Sequence, residues 1–124
     1  MCAVLLVDDN PDTLEMYATG LALEGMRTVM AVDTSTALEA LDGDQLDAVV
    51  TDLQLTGGRN GWDLVEAIRN NPSTRSVPVL VLTGFSDPSV AAVAQQFGCA
   101  ALLTKPCLPH ELARILKRLL SAVA

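Results

Sequence analysis

The chain has 124 residues, of which 50% are hydrophobic and 19% are charged, with a net charge of −7 at pH 7. This length fits one domain with a sizeable core, and the composition is that of a soluble globular protein rather than a disordered one. No apolar run is long enough to cross a bilayer, and acidic residues interrupt the N-terminal run too early for a signal peptide. These features favour a cytoplasmic location. The three cysteines lack paired spacing, which predicts reduced thiols rather than a zinc site.

The charge is distributed unevenly along the chain. Residues 1–52 carry eleven acidic and one basic residue, a net charge of −10, whereas the remainder carries four acidic and seven basic residues, a net charge of +3. A half this acidic is repelled by phosphate backbones, so we expect no direct contact with nucleic acid.

Five apolar runs each fit a buried strand, and each is followed by a helical pattern. The predicted strands are Ala3 to Val7, Met26 to Val32, Asp47 to Asp52, Pro78 to Thr83 and Ala100 to Thr104. Capping residues or prolines begin four of the predicted helices, at Asn10-Pro11, Asp33, Asp87-Pro88 and Pro109, and the third helix follows the Gly-rich loop Thr56 to Gly61. Five βα repeats predict a single α/β domain over residues 1–124, with a parallel sheet covered by helices on both faces.

Polar side chains follow four of these runs. Asp8 and Asp9 come after the first strand, Asp52 ends the third, Thr83 ends the fourth and Lys105 follows the fifth. Ligand sites of open parallel sheets form at the carboxyl ends of the strands. Three carboxylates, a hydroxyl and an ammonium at that edge predict a cation site beside a phosphoryl site.

The acidic pair Asp8-Asp9 is unlike a simple helix cap, because Asn10 and Pro11 already fill the cap and first-turn positions. Adjacent carboxylates repel one another unless a cation offsets them, and a hard divalent ion such as Mg²⁺ fits. Asp52 alone is typical of a strand-end turn. Beside the acidic pair it becomes a third carboxylate, which a bound cation would allow to accept a phosphoryl group.

Thr83 and Lys105 suit the phosphoryl half of such a site. A strand-terminal threonine is most often only a β former, but its hydroxyl can donate to a phosphoryl oxygen, and Gly84 lets the backbone approach closely. Lys105 can reach across as a counter-ion of phosphate. A cis Lys105-Pro106 bond is also expected.

Together these strings resemble the receiver domains of two-component response regulators over essentially all 124 residues. The residues that carry the resemblance are Val7-Asp8-Asp9-Asn10, Asp52-Leu53-Gln54-Leu55, Leu82-Thr83-Gly84 and Thr104-Lys105-Pro106. The resemblance implies a flavodoxin-like (βα)5 fold, a three-layer sandwich with strand order 2-1-3-4-5. Because the sequence starts at Met1 and stops just after the last predicted helix, we expect a free-standing receiver, a response regulator that works through protein contacts.

The resemblance also assigns roles to the site residues. Asp52 is the implied phosphoacceptor, and Thr83 and Lys105 are the implied ligands of the phosphoryl oxygens. The implied ligands of Mg²⁺ (or Mn²⁺) are Asp9 directly, Asp8 through water, Asp52, and the main-chain carbonyl of Gln54. The implied donor is a phosphohistidine on a histidine kinase or phosphotransfer protein, and the output passes to a downstream protein. Catalysis would be limited to the domain's own phosphorylation and dephosphorylation.

Three features depart from the family pattern. Thr56 stands where the family often has proline, the loop Gly57 to Gly61 is one residue longer than the commonest form, and Leu102 stands where the family usually has a switch aromatic. Leu102 is either plain core or a switch residue that acts by packing alone. Our hypothesis is that Phe85 takes over part of the aromatic's role and shields the acyl phosphate from water.

Other functions have less support. Leu102 and Thr56 leave open a receiver-fold interaction module that acts independently of phosphorylation. An aspartate-nucleophile phosphohydrolase needs an acid two residues after its nucleophile, where this chain has Gln54. A flavodoxin-type cofactor site needs a Gly, Ser and Thr loop after the first strand, where this chain has Asp8-Asp9.

Single residues outside these motifs predict little chemistry. We interpret Trp62 as a packing residue and His110 as a surface histidine in the first turn of the last helix. The fourth helix carries Ala91, Ala92, Gln95 and Gln96, a candidate partner surface.

Overall fold

The structure is a computed structural model that describes residues 2–43, 45–55, 61–84 and 88–123, the side chains of 122 and 123 excepted. Five parallel strands form one sheet in the order β2-β1-β3-β4-β5, which confirms the predicted flavodoxin-like topology. The strands are β1 (Ala3–Val7), β2 (Arg27–Ala31), β3 (Ala48–Thr51), β4 (Val79–Thr83) and β5 (Ala101–Thr104). The helices are α1 (Pro11–Leu23), α2 (Thr34–Gly43), α3 (Gly61–Asn70), α4 (Pro88–Gln96) and α5 (Pro109–Val123).

Local sequence explains where most elements begin and end. The side chain of Asn10 accepts hydrogen bonds from the first-turn amides of α1, and Pro11 occupies the first helical position. Gly25, at φ +84°, supplies the left-handed residue after that helix. β2 to β5 are shorter than their apolar runs by one or two residues. Pro78, for example, lies outside β4 because it has no N–H, and its carbonyl accepts a bond of 2.9 Å from Val49 N.

The sheet is buried on both faces, since successive side chains along each strand point to opposite sides. One face packs against α1 and α5 in a cluster that includes Val4, Leu6, Leu21, Leu112 and Leu116. The other face packs against α2 and α3, with Val90 and Phe97 of the α4 region added at its margin. This gives the three layers that the sequence predicts. Among the helices of the described ranges, none is long and apolar enough to cross a membrane.

Candidate functional site

The strand ends bring three of the predicted site residues together. β1 pairs with β3 in a register that aligns Val7 with Thr51, so that Asp8 and Asp52 emerge side by side. The amide of Asp52 continues this ladder by donating to the carbonyl of Val7 at 3.0 Å. At the ends of β4 and β5, Lys105 N donates to the carbonyl of Thr83 at 2.8 Å. The side chains therefore start from the same edge.

The Lys105 ammonium bridges two carboxylates. Its Nζ lies 2.7 Å from Asp52 Oδ2 and 3.2 Å from Asp8 Oδ2. The other oxygen of each acid is also held, because Asn10 N donates to Asp8 Oδ1 at 2.9 Å and Gln54 N donates to Asp52 Oδ1 at 3.0 Å. Only 9% of the Asp8 side chain and 12% of the Asp52 side chain are exposed, so these contacts are made with little competing water. Both carboxylates are thus held in fixed orientations.

Burial and charge act in opposite directions on this cluster. Burial raises the pKa of Asp8 above its ordinary value, and the Asn10 amide and Lys105 only partly offset that effect. Burial alone would lower the pKa of Lys105, but its hydrogen bond to Asp52 and the charges of Asp52 and Asp8 outweigh it, so this pKa is raised. The lysine therefore stays charged at neutral pH, while a buried carboxylate beside it is only partly compensated.

Thr83, Asp9 and Gln54 occupy the same edge with different exposure. Thr83 is fully buried at the end of β4. Asp9 and Gln54 are exposed, directly after Asp8 and one residue beyond Leu53. In the described ranges, no three acidic, histidine or cysteine side chains are placed to hold a metal ion together. Instead, Lys105 bridges Asp8 and Asp52.

The donor chemistry nevertheless fits a hard cation. Asp8, Asp9 and Asp52 contribute three carboxylates against the single ammonium of Lys105, which leaves a net charge of −2 when all four groups are ionised. Mg²⁺ prefers oxygen donors, and one or two carboxylates with water suffice for it. The predicted ligand set therefore remains a prediction that the local charge supports.

The backbone around Asp52 is packed against the start of α3. Gly61 N donates to the carbonyl of Leu53 at 2.8 Å, and a Cβ added to Gly61 would overlap the carbonyl oxygen of Asp52. Only glycine allows so close an approach, so α3 begins directly against the loop that presents the candidate phosphoacceptor.

Tyr17 is a site-adjacent residue that lies at helical spacing with Leu14, Ala18 and Leu21 in α1, and no sequence motif marks it as functional. Its hydroxyl donates to the carbonyl of Cys107 at 2.6 Å in a buried hydrogen bond. The same ring lines a small cavity of about 10 Å³ together with Asp8 and Asp52. A tyrosine within an otherwise aliphatic stripe was the available signal, because a buried hydroxyl requires a partner.

Several secondary predictions have clear outcomes. The Lys105-Pro106 peptide bond is cis, as expected, and the three cysteines are free. Trp62 is a packing residue whose ring stacks on Phe97 at 6.0 Å between centroids, and His110 is exposed. Thr56, most of the loop from Gly57 to Gly61, and Phe85 lie outside the described residues, so the hypothesis for Phe85 stays a prediction.

Leu102 and the candidate partner surface of α4 are both in the described ranges. Leu102 is half-buried in β5 and packs against the core cluster on the α2 and α3 face, which fits its interpretation as core. The α4 side chains named as a candidate surface are exposed: Ala91, Ala92, Gln95 and Gln96.

Comparison with known proteins decides the family. The sequence model of the response regulator receiver domain matches residues 4–117. The chain belongs to the response regulator receiver domain family. This receiver is 35% identical over 117 residues to the DNA-binding response regulator MtrA of Mycolicibacterium smegmatis, covering 94% of the chain and 50% of that protein. It is also 32% identical over 105 residues to a probable cyclic di-GMP phosphodiesterase of Vibrio cholerae, covering 85% of the chain and 23% of that protein.

Solved structures agree with this assignment. The receiver superposes on the chemotaxis response regulator CheY4 of Vibrio cholerae with a TM-score of 0.87 and 27% sequence identity, covering 95% of this chain and 98% of the other. The receiver spans half or less of the length of the two relatives above. Two-component signalling controlled by phosphorylation is the general function of the family.

Proposed function

We propose that this receiver accepts a phosphoryl group on Asp52 from a phosphohistidine of a histidine kinase or histidine phosphotransfer protein in the cytoplasm. The phosphorylated domain then signals through changed contacts with a downstream protein. The observation that carries the proposal is the Lys105 ammonium 2.7 Å from Asp52 and 3.2 Å from Asp8 at the carboxyl edge of the sheet. A buried carboxylate paired with a lysine is a nucleophile with its phosphate counter-ion already in place.

The contacts of Asp52 define its role in the transfer. Gln54 N and Lys105 Nζ each hold one of its carboxylate oxygens, which fixes the plane of the group. One of these oxygens attacks phosphorus, and the bond from phosphorus to the histidine nitrogen breaks with its electron pair going to that nitrogen. Lys105 then donates to the phosphoryl oxygens. The Thr83 hydroxyl, at the neighbouring strand end, is the second donor in this proposal.

A divalent cation completes the proposed site. When bound, Mg²⁺ (or Mn²⁺) supplies positive charge that offsets the carboxylates and the incoming phosphoryl group. The groups that hold it in this proposal are Asp8, Asp9, Asp52 and the main-chain carbonyl of Gln54. The chemistry of this domain is then confined to its own phosphorylation and dephosphorylation.

The surface around the site suits two different protein partners. Beside Lys105 lies a mainly apolar groove of about 460 Å³, with the partly exposed side chains of Met16 and Leu108 along it. We assign this groove to the phosphohistidine-bearing partner, because the donor histidine must approach Asp52 from the carboxyl edge. The exposed side of α4 is the proposed contact for the downstream protein.

Intact-mass measurement after incubation with Mg²⁺ and a small acyl phosphate tests the proposal. Wild type is expected to gain the mass of one phosphoryl group, and Asp52→Asn is expected to gain none. Asp47→Asn is the matched control, since Asp47 precedes the same strand that Asp52 follows and its side chain accepts from Ala3 N at the opposite edge. This control should be phosphorylated like wild type. Equal mass gain in Asp52→Asn would contradict the assignment of the acceptor.

The second candidate is a receiver-fold interaction module that acts without phosphorylation. Leu102 favours it, because a half-buried leucine in β5 offers neither the ring nor the hydroxyl of the switch aromatic that the family usually has at this position. Absence of phosphoryl gain both from the acyl phosphate and from phosphorylated histidine phosphotransfer proteins would support this module over the proposed function.

A further inference from the structure

Tyr17 joins α1 to the segment that follows Lys105. Its hydroxyl donates to the carbonyl of Cys107, two residues after the lysine, at 2.6 Å. Tyr17 is 6% exposed and Cys107 is 8% exposed, so water does not compete for this bond. A buried hydroxyl that loses its partner is costly, which makes this contact a strong restraint on the position of the segment.

A second contact holds the same segment against α1. A Cβ added to Gly20 would overlap Cβ of Pro109, so the helix and the start of α5 are in close contact one turn beyond Tyr17. At its other end the segment is held by the sheet, because Lys105 N donates to the carbonyl of Thr83 at 2.8 Å. The backbone from Lys105 to Pro109 is thus fixed at both ends, and Tyr17 holds its middle.

Tyr17 also lines two cavities next to the site. It lines the small cavity together with Asp8 and Asp52, and it lines the apolar groove together with Lys105. A shift of the Cys107 carbonyl therefore changes where the Lys105 backbone starts, and with it the reach of the ammonium to Asp52. The Tyr17 hydroxyl is thus linked, through the backbone from Cys107 to Lys105, to the ion pair between Lys105 and Asp52.

We infer that Tyr17 is a positioning residue for phosphoryl transfer: by holding the Cys107 carbonyl it sets the position of Lys105 relative to Asp52. This inference rests on the proposed function, because the step that it affects is phosphorylation of Asp52. Tyr17 touches neither the phosphoryl group nor the reacting carboxylate in this scheme. It acts only through the segment that carries the lysine.

Tyr17→Phe tests this inference, because it removes the hydroxyl and keeps the ring. We expect the limiting rate of phosphoryl gain from an acyl phosphate to fall by about tenfold, the scale of loss when a catalytic group is displaced by a fraction of an ångström. The half-saturating donor concentration should change much less. Leu21→Val is the control for lost packing, since Leu21 is fully buried in the same helix and does not line the groove or the cavity. This variant should lose thermal stability but keep the wild-type rate.

A spectroscopic measurement separates positioning from general loosening. The chain has two lysines, Lys105 and Lys117, so selective labelling with ¹³C and ¹⁵N gives two Nζ signals. Lys117 pairs with Glu24 at 2.6 Å and serves as the internal reference. In Tyr17→Phe we expect the Lys105 signal to move toward that of an unpaired lysine, while the Lys117 signal stays in place.

The possible outcomes distinguish this inference from the proposed function. If wild type is phosphorylated and Tyr17→Phe has the same rate and the same Lys105 Nζ signal, the inference is overturned and the proposed function stands. An equal loss of rate in Leu21→Val would also overturn it. A wild type that gains no phosphoryl group from any donor would overturn both.

Discussion

At the scale of single residues, burial of the Asp8 carboxylate makes folding depend on pH. Because burial raises its pKa in the folded state, the contribution of Asp8 to folding is most favourable at low pH, where this acid is protonated in both states. That contribution is lost as the pH rises from the unfolded pKa through the folded one. Near neutral pH the ionised Asp8 is therefore a net cost to folding.

Asp8→Asn is accordingly expected to raise the free energy of unfolding near neutral pH, with the gain shrinking as the pH is lowered. Urea unfolding across the acid range measures this difference. Asp33→Asn is the control of opposite sign, because hydrogen bonds from Thr36 lower the pKa of Asp33, so its charged form favours folding. An Asp8→Asn variant that is less stable than wild type near neutral pH would show that the pairing with Lys105 outweighs burial.

At the scale of elements, one arginine connects α3 to the turn after α4. The Arg69 guanidinium donates to the carbonyls of Phe97 at 2.8 Å, Val77 at 2.7 Å, Arg75 at 2.9 Å and Gly98 at 3.2 Å. Two of these carbonyls follow α4 and two precede β4. The Arg69 side chain thus donates to backbone carbonyls of two segments, the one that follows α4 and the one that precedes β4.

Arg69→Met keeps much of the aliphatic stem and removes all four hydrogen bonds. We expect the free energy of unfolding to fall by about 2 to 3 kcal/mol, since hydrogen bonds to a charged group are among the stronger ones and the carbonyls lose their partner. Urea unfolding monitored by Trp62 fluorescence measures the loss, because Trp62 lies on the same helix and stacks on Phe97. Arg118→Met, at an exposed position of α5, should change stability by less than about 0.5 kcal/mol.

The same elements show how far the sequence alone leads. Apolar runs, caps and prolines are local signals, and they predict all five strands, all five helices and the edge at which Asp8, Asp52 and Lys105 meet. The bond from Tyr17 to Cys107 spans 90 positions, and the bond from Arg69 to Phe97 spans 28, so neither follows from any local pattern. Such contacts depend on which helices the topology places side by side. Sequence analysis therefore predicts which residues lie at the carboxyl edge of the sheet better than it predicts the long-range contacts between elements.

At the scale of the whole molecule, the acidic charge opposes an anionic phosphoryl donor. Residues 1–52, the part of the chain that contains Asp8, Asp9 and Asp52, carry a net charge of −10, which the +3 of the remainder reduces to −7. Electrostatic repulsion by these carboxylates extends over about a Debye length, so it opposes the approach of a small anion to Lys105. A protein donor can offset this repulsion with apolar contacts along the groove, whereas a small acyl phosphate cannot.

Salt should therefore accelerate phosphorylation by a small anionic donor. Between about 20 and about 200 mM salt the Debye length falls from about 20 to about 7 Å, and at saturating Mg²⁺ we expect the rate of phosphoryl gain to rise about twofold. Phosphoramidate, which carries less negative charge than an acyl phosphate, should show a smaller rise in the same intact-mass assay. A rate that falls with salt for both donors would mean that bound cation and Lys105 reverse the field at the site, and the positive charge of the site would then dominate the approach of the donor.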